Sequence, residues 1–252
     1  PIYLSVGTEH IPVCLQQAFK DIGLQQYNIF VQHRCHSYYL TFAKNPVHLA
    51  LELCGSKLGC NRGMGGSASV SNNGGDVQIF GHSGLLGDQI PIAIGMAHAS
   101  NIPTLAILGD AAAEEDYVLG SLGFAATKKC PILFICEDND LSILTEKKIR
   151  RSWDITNVAR GFGIKSENIK DHPGTILHEV RKWDKKTPLF LNIKCERHKW
   201  HCGIGQDNEP STDRIQEIKQ SLSTDKAQYI EKSNVRRIDN IWAQTKELLR
   251  KP

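Results

Sequence analysis

An α/β fold, with a mostly parallel sheet and helices on both of its faces, is what this sequence predicts. Three runs carry the prediction: Thr104–Leu108, Ile132–Cys136 and Leu189–Lys194 are close to continuously apolar rather than alternating. Strands covered on both faces have that texture. Helix-period segments lie between them, the strand–helix–strand order of a parallel sheet. A length of 252 residues suffices for one substantial core.

The elements follow in order. Ile11–Phe19 has helical apolar spacing, and Tyr27–Val31 reads as a short strand that runs directly into His33-Arg34-Cys35-His36. Residues 55–87 are rich in glycine and lack apolar runs, so they read as one long loop. Loops of that length inside a compact domain are usually functional. Gln89–Ala99 is a buried helix, and the strand Thr104–Leu108 ends in Gly109-Asp110. Ala111–Thr127 reads as a helix whose early turns hold Glu114, Glu115 and Asp116, acids that suit the positive end of the dipole. Pro131 opens the strand Ile132–Cys136, which ends in Glu137-Asp138-Asn139; Thr156–Phe162 and Thr175–Trp183 are further helices. From Ser211 the chain is polar and helical, which divides it into a domain over 1–210 and a helical appendage over 211–252.

Composition narrows the function. With 40% hydrophobic and 23% charged residues the chain belongs to the soluble globular class. A net charge of +3 is too small to call for nucleic acid. The basic run Lys147-Lys148-Ile149-Arg150-Arg151 reads as a solvated face or mobile loop. No stretch reaches the roughly 18 apolar residues of a membrane span, and the start carries no signal-peptide pattern, so no membrane is expected. Among the eight cysteines, Cys130 and Cys136 sit in apolar runs, where a free thiol packs as a small hydrophobe. A reduced, cytoplasmic protein is the expectation.

Asp110 and Asn139 carry the chemistry. They end two successive parallel strands and stand 29 residues apart. A right-handed crossover puts both on one sheet edge, where open α/β folds bind ligands. A carboxylate and an amide oxygen suit a hard cation that keeps room for phosphate oxygens and water, as magnesium does. Gly109 allows close backbone approach, and the helix start after Asp110 can face an anion. Each residue alone is also an ordinary turn or cap former. The pair, in this order and at this spacing, is more specific.

Leu108-Gly109-Asp110-Ala111-Ala112-Ala113, followed by Cys130-Pro131 and the strand to Glu137-Asp138-Asn139, resembles the thiamine diphosphate fingerprint: Gly-Asp-Gly, then Asn-Asn nearly thirty residues on. Within that class the chain is similar to the alpha subunit of 2-oxo acid dehydrogenases of the pyruvate and acetoin dehydrogenase type, over roughly residues 3–207. The resemblance implies the thiamine-diphosphate-binding fold, with Mg2+ held by the side chains of Asp110 and Asn139 and the backbone carbonyl of Leu141. Leu4-Ser5-Val6-Gly7-Thr8-Glu9 resembles the family's Gly-Gln-Glu entry, and His33-Arg34-Cys35-His36 its Tyr-Arg-x-His segment. Arg34 is thereby implied on the diphosphate, with His33 beside it. Gly63-Met64-Gly65-Gly66-Ser67 matches a Gly-Lys-Gly-Gly-Ser loop; a nucleotide-binding reading of these glycines is weak, since no strand precedes them. Gly84-Leu85-Leu86-Gly87-Asp88-Gln89-Ile90-Pro91 matches the segment that contacts the aminopyrimidine, which implies cofactor contacts from Gly84, Leu85 and Leu86. Gly109, Ala111 and Ala112 join them around the fingerprint. Glu196 to Cys202 resembles Tyr-Arg-x-x-Gly-His-Ser, placing Arg197 and His201 near the phosphates and the mouth. His201 is the first candidate for proton handling and His82, just before Gly84, the second.

The sequence also departs from the pattern. The fingerprint's second Gly is Ala111, its Asn-Gln is Glu114-Glu115, and Ser69 stands where the loop normally has a His. The longer N-terminal extension of such subunits is missing, and 252 residues leave no room for a pyrimidine-binding domain. The resemblance therefore implies a beta-type subunit that supplies that domain and the activating Glu, in a heterotetramer acting on a 2-oxo acid. Three readings stay open: an oxidising subunit serving a lipoyl-bearing acyltransferase, a split transketolase-like or acyloin-forming carboligase, and a non-catalytic cofactor-binding or regulatory subunit. Cys195, His198, His201 and Cys202 imitate a zinc spacing, but compressed and beginning at a strand end.

Overall fold

The computed structural model describes residues 2–206 and 209–250. Its centre is a six-stranded sheet of β1 (Tyr27–Phe30), β2 (Val77–Phe80), β3 (Thr104–Gly109), β4 (Ile132–Asp138), β7 (Lys165–Lys170) and β8 (Leu189–Lys194), in the order β2-β1-β3-β4-β8-β7. Every pairing in it is parallel. A small antiparallel hairpin, β5 (Leu141–Ser142) with β6 (Thr145–Glu146), stands apart from it.

Successive strand residues point to opposite faces, and the apolar strands feed two separate cores. Leu105, Ile107, Leu133, Ile135 and Leu191 pack on one side with α1 (His10–Asp21), α2 (His36–Phe42) and α8 (Pro173–Arg181). Ala106, Leu108, Phe134, Cys136 and Phe190 pack on the other with α4 (Gln89–Ser100), α5 (Asp116–Lys128) and α7 (Ile155–Gly161). Both faces are covered, which is why these strands could be apolar throughout. Cys130 and Cys136 are buried thiols, as their apolar settings required.

Two expectations are corrected. Residues 55–87 are not loop throughout, because Val77–Phe80 extends the sheet as β2, paired residue by residue with β1. A mixed, half-exposed edge strand lacks the apolar run that betrays a central one. The expected helix Ala111–Thr127 is broken: Ala112–Glu114 forms a single 3-10 turn, Glu115 is extended, and α5 starts at Asp116. Glu114 thus leaves the helix and turns to another task.

Sequence reasoning also passed over α2, α3 (Pro46–Leu53), α6 (Lys147–Arg150) and β7. Towards the C-terminus come α9 (Arg214–Gln220) and α10 (Thr224–Arg250); α10 lies along α3 and is mostly exposed. Arg214 donates to Asp171 at 2.7 and 2.9 Å, which ties α9 to the turn after β7. No helix among the described residues is long and apolar enough to cross a membrane.

Candidate active site

All strands of a parallel sheet present their C-terminal ends to one edge. Five of those ends converge here: His33 and Arg34 follow β1, His82 and Gly84 follow β2, Asp110 follows β3, Asn139 follows β4 and Arg197 follows β8. They line a cavity of about 630 Å³. Gly109, Ala111, Ala112, Leu86, Leu141 and His201 line it too. Leu85 does not; it is 67% exposed and follows Gly84, whose φ is +117°.

The β3–β4 register pairs Gly109 with Glu137, so Asp110 and Asp138 come next to each other and Asn139 lies one step beyond. Two buried carboxylates side by side need positive charge. The segment expected to be a solvated basic face supplies it, and that expectation is corrected. Lys147 of α6 donates to Asp138 at 2.6 and 2.7 Å. Arg150 ion-pairs with Asp110 and donates to Glu114 at 2.5 Å. Arg151 stacks over Trp153 at 4.6 Å, and of the four basic side chains only that of Lys148 is largely exposed. Glu114, the acid that replaces the family's Asn, is therefore Arg150's second partner.

The two acids differ in consequence. Burial, and secondly Asp138, push Asp110 up to about 6 against the pull of Arg150. Burial also raises Asp138, but hydrogen bonds from Lys147 and Asn192 outweigh it and hold that carboxyl below its ordinary value. Even with Arg150 in place, Asp110 is short of positive charge. Asn139 accepts from the Leu141 N–H at 3.1 Å, a turn that brings Leu141 to the cavity wall. An amide oxygen has a second lone pair, so the Asp110, Asn139 and Leu141 oxygens fit the donor chemistry of a hard cation. Among the described residues no three His, Cys, Asp or Glu side chains converge on a metal position. Such a cation would lean on ligand oxygens, and the zinc-like set from Cys195 to Cys202 does not assemble.

Beyond the acids the wall turns cationic and aromatic. Arg34 and Arg197 are buried, Arg34 donating to the Leu4 and His201 carbonyls at 3.1 and 2.8 Å and Arg197 to the Ile143 carbonyl at 2.9 Å. The His33 ring stands 5.6 Å from His201 and 6.0 Å from His82, with Tyr3 edge-on to His33 and His201 at 5.0 and 5.4 Å. Burial first, and Arg34 second, push His33 down to about 3. Burial likewise lowers His82, against Asp88. Both are therefore neutral near pH 7, and the burial that keeps His33 uncharged also makes it a weak base there. Among the described residues, neither ring nitrogen of His33 has a hydrogen-bond partner. Ser69, where a His was expected, lines the same cavity.

Sequence reasoning missed several contributors. Gln32 lines the cavity and donates to Glu137 at 2.5 Å; Tyr38 donates to the same carboxylate at 2.8 Å, and burial pushes Glu137 up to about 7. Glu52 and Asn61 were missed as well. An acid inside an apolar run, as in Leu49-Ala50-Leu51-Glu52-Leu53, was the available signal.

Comparison with known proteins agrees with this architecture. The family model described as the dehydrogenase E1 component matches residues 2–228. The chain is similar to pyruvate dehydrogenase E1 component subunit alpha of Zymomonas mobilis, 25% identical over 87% of this chain and 64% of that protein. The corresponding subunit of Rickettsia bellii is 28% identical over 69% of this chain and 56% of the relative. That of Rhizobium meliloti is 25% identical over 98% of this chain and 71% of the relative. The chain thus spans less than two thirds of the length of two of these relatives. The match from residue 2 to residue 228 encloses every strand and every wall of the cavity, and the chain belongs to the dehydrogenase E1 component family.

Proposed function

We propose that this chain is the alpha-type subunit of a thiamine diphosphate-dependent enzyme that decarboxylates a 2-oxo acid and passes on the resulting acyl or acyloin unit. In this reading residues 1–210 hold the cofactor, 211–252 form the appendage, and a beta-type subunit completes the site in a cytoplasmic heterotetramer. The observation that carries it is the gradient within one cavity, from oxygen donors at Asp110, Asn139 and Leu141 to neutral histidines at His33 and His82. The similar relatives are named as alpha subunits of pyruvate dehydrogenase E1, which supports a beta partner and a 2-oxo acid substrate.

When bound, thiamine diphosphate supplies the nucleophilic carbon and the electron sink for decarboxylation. The chain's own part is to grip and orient. Asp110, Asn139 and the Leu141 carbonyl would take Mg2+, while Arg34 and Arg197 offset the remaining negative charge of the diphosphate. Gly84 and Leu86 shape the wall beside the ring system, and His201 and His82 are placed to move protons near the mouth.

The test is reconstitution with the beta-type subunit and assay of 2-oxo acid decarboxylation with thiamine diphosphate and Mg2+. Loss of a direct ligand in Asp110→Ala should cost more than the roughly 10–100-fold typical of supporting residues. Turnover that survives both this substitution and a chelator would overturn the reading and leave a non-catalytic subunit in its place. Ser69 on the cavity wall supports a second reading of the acceptor step, a carboligase without lipoyl transfer. Ketol formation from a 2-oxo acid and an aldehyde marks that reading, and oxidation that requires a lipoyl-bearing acyltransferase marks the first.

A further inference from the structure

The cavity has one wall that no strand supports. Asn61, Met64, Gly65 and Ser69 line it from the glycine-rich segment after α3, which has no helix or strand of its own between Leu53 and Val77. Some interaction must hold that backbone still. Glu52, 1% exposed among Leu49, Ala50 and Leu51 on α3, supplies it.

The Glu52 carboxylate accepts four backbone N–H groups. One oxygen takes Asn61 at 2.7 Å and Gly63 at 2.9 Å; the other takes Gly65 at 2.7 Å and Gly66 at 3.2 Å. An ionised carboxylate offers about four lone-pair sites, so the loop amides fill it without any cation. Charge-assisted bonds of this kind are the strong ones. Gly59 shows how tightly the segment wraps, since a Cβ there would lie 2.4 Å from the carboxylate and 2.6 Å from the Glu52 Cα. A second tie follows at Ser67, whose Oγ accepts from the Tyr3 N–H at 2.9 Å while its carbonyl lies 2.9 Å from His36 Nε2.

What the wall presents is neutral: an amide, a thioether, a hydroxyl and bare backbone. That suits the uncharged body of a substrate or acceptor. The anionic cofactor tail needs the oxygen donors and arginines carried on strand ends. We infer that Glu52 is a positioning residue, which fixes the Asn61–Ser69 wall for the substrate side of the site and leaves the grip on the diphosphate to the strands. The assignment rests on the proposed 2-oxo acid reaction.

The experiment compares Glu52→Ala, Glu52→Gln and Gly59→Ala in the full chain reconstituted with its beta-type subunit. Amide hydrogen exchange should accelerate at residues 61–66 while strands β3 and β4 keep their protection. The KM for the 2-oxo acid should rise, or kcat fall, by about 10–100-fold, the cost of a misplaced group. Half-saturation by thiamine diphosphate with Mg2+ should stay within about twofold of the wild type. Glu52→Gln keeps one acceptor oxygen and should fall in between. Glu52→Gln, close to the wild type in size, serves if the alanine variant at position 52 does not fold, and Gly59→Ala presses on the Glu52 backbone as well as on its carboxylate. Unchanged exchange at 61–66, or cofactor half-saturation moving as far as the substrate KM, would overturn the assignment. A wild-type complex with no 2-oxo acid turnover would refute the reaction instead, with the exchange result still judging the wall.

Discussion

The two ends of the cavity are built on opposite plans. At the acid end, Asp110 and Asn139 stand on adjacent paired strands, and their separation is set by the β3–β4 register. Their environment is ionic, with Arg150 and Lys147 crossing from α6. At the histidine end, Tyr3, His33, His82 and the Asn61–Ser69 segment come from loops that one buried carboxylate and a few side-chain bonds hold in place. Carboxylates and their counter-charges organise the first end, and at the second burial, with Arg34 alongside, keeps a ring uncharged: Asp110 is short of cations, whereas His33 is kept from becoming one. The proposed function, with a diphosphate at one end and proton transfer at the other, calls for that division.

The sharpest way to break the acid end is Arg150→Met. It leaves Asp110 without its guanidinium partner and Glu114 with only Arg151 at 3.5 Å, and unpairing a buried ion pair costs about 3–5 kcal/mol. Urea unfolding of the isolated chain should show most of that loss. Mg2+ together with thiamine diphosphate should raise the melting temperature of the variant more than that of the wild type, because the added cation replaces the missing charge. A variant as stable as the wild type would mean that Arg150 is not what neutralises Asp110.

The same contrast explains what the sequence could disclose. Asp110 and Asn139 were legible because strand ends are set by local pattern: an apolar run stops, a polar residue follows, and parallel pairing does the rest. Arg34, Arg197 and His82 were legible only through the segments that resemble the family, and the strand that carries His82, β2, was read as loop. Glu52 was not, since its four partners lie 9 to 14 residues further along a segment with no periodicity. Arg150 was read as a solvated base because its partner Asp110 is 40 residues away and only the folded α6 turn brings them together. The break before α5 was hidden for the same reason, since Glu114 in the turn there meets Arg150, 36 residues away. Composition and spacing describe sheets well and counter-charges badly.

A smaller effect separates the two ends by pH. His33 falls from an ordinary 6.5 to about 3 on folding, mainly through burial. The unfolded chain therefore binds the extra proton between those values, and stability is lost as pH drops through that window. Asp110 has the opposite sign: raised from 3.8 to about 6, it contributes stability below its unfolded value that is lost as pH rises through 6. His33→Gln should flatten the acid limb of the stability curve by at most about 1.4 kcal/mol per pH unit, measured by urea unfolding between pH 6.5 and pH 4. His10, His36 and His82, all lowered chiefly by burial, would sustain the slope that remains. An acid limb unchanged in the variant would mean that His33 is not desolvated.

The smallest expected effect concerns Leu85 and Leu86, neighbours that the family resemblance treated alike. The structure separates them: Leu86 lines the cavity and its carbonyl accepts from the Tyr117 hydroxyl at 2.5 Å, whereas Leu85 is 67% exposed. Leu85→Ala should leave the stability of the isolated chain within about 0.5 kcal/mol, as exposed positions do. Thiamine diphosphate affinity should follow the same division, unchanged for Leu85→Ala and weakened for Leu86→Ala, where shortening the side chain opens the wall beside the cofactor. Titration of the reconstituted complex by intrinsic fluorescence checks it. Equal weakening by both would mean that Leu85 turns inward once the beta-type subunit is in place, and the boundary between the two ends would then be drawn by the partner as well as by this chain.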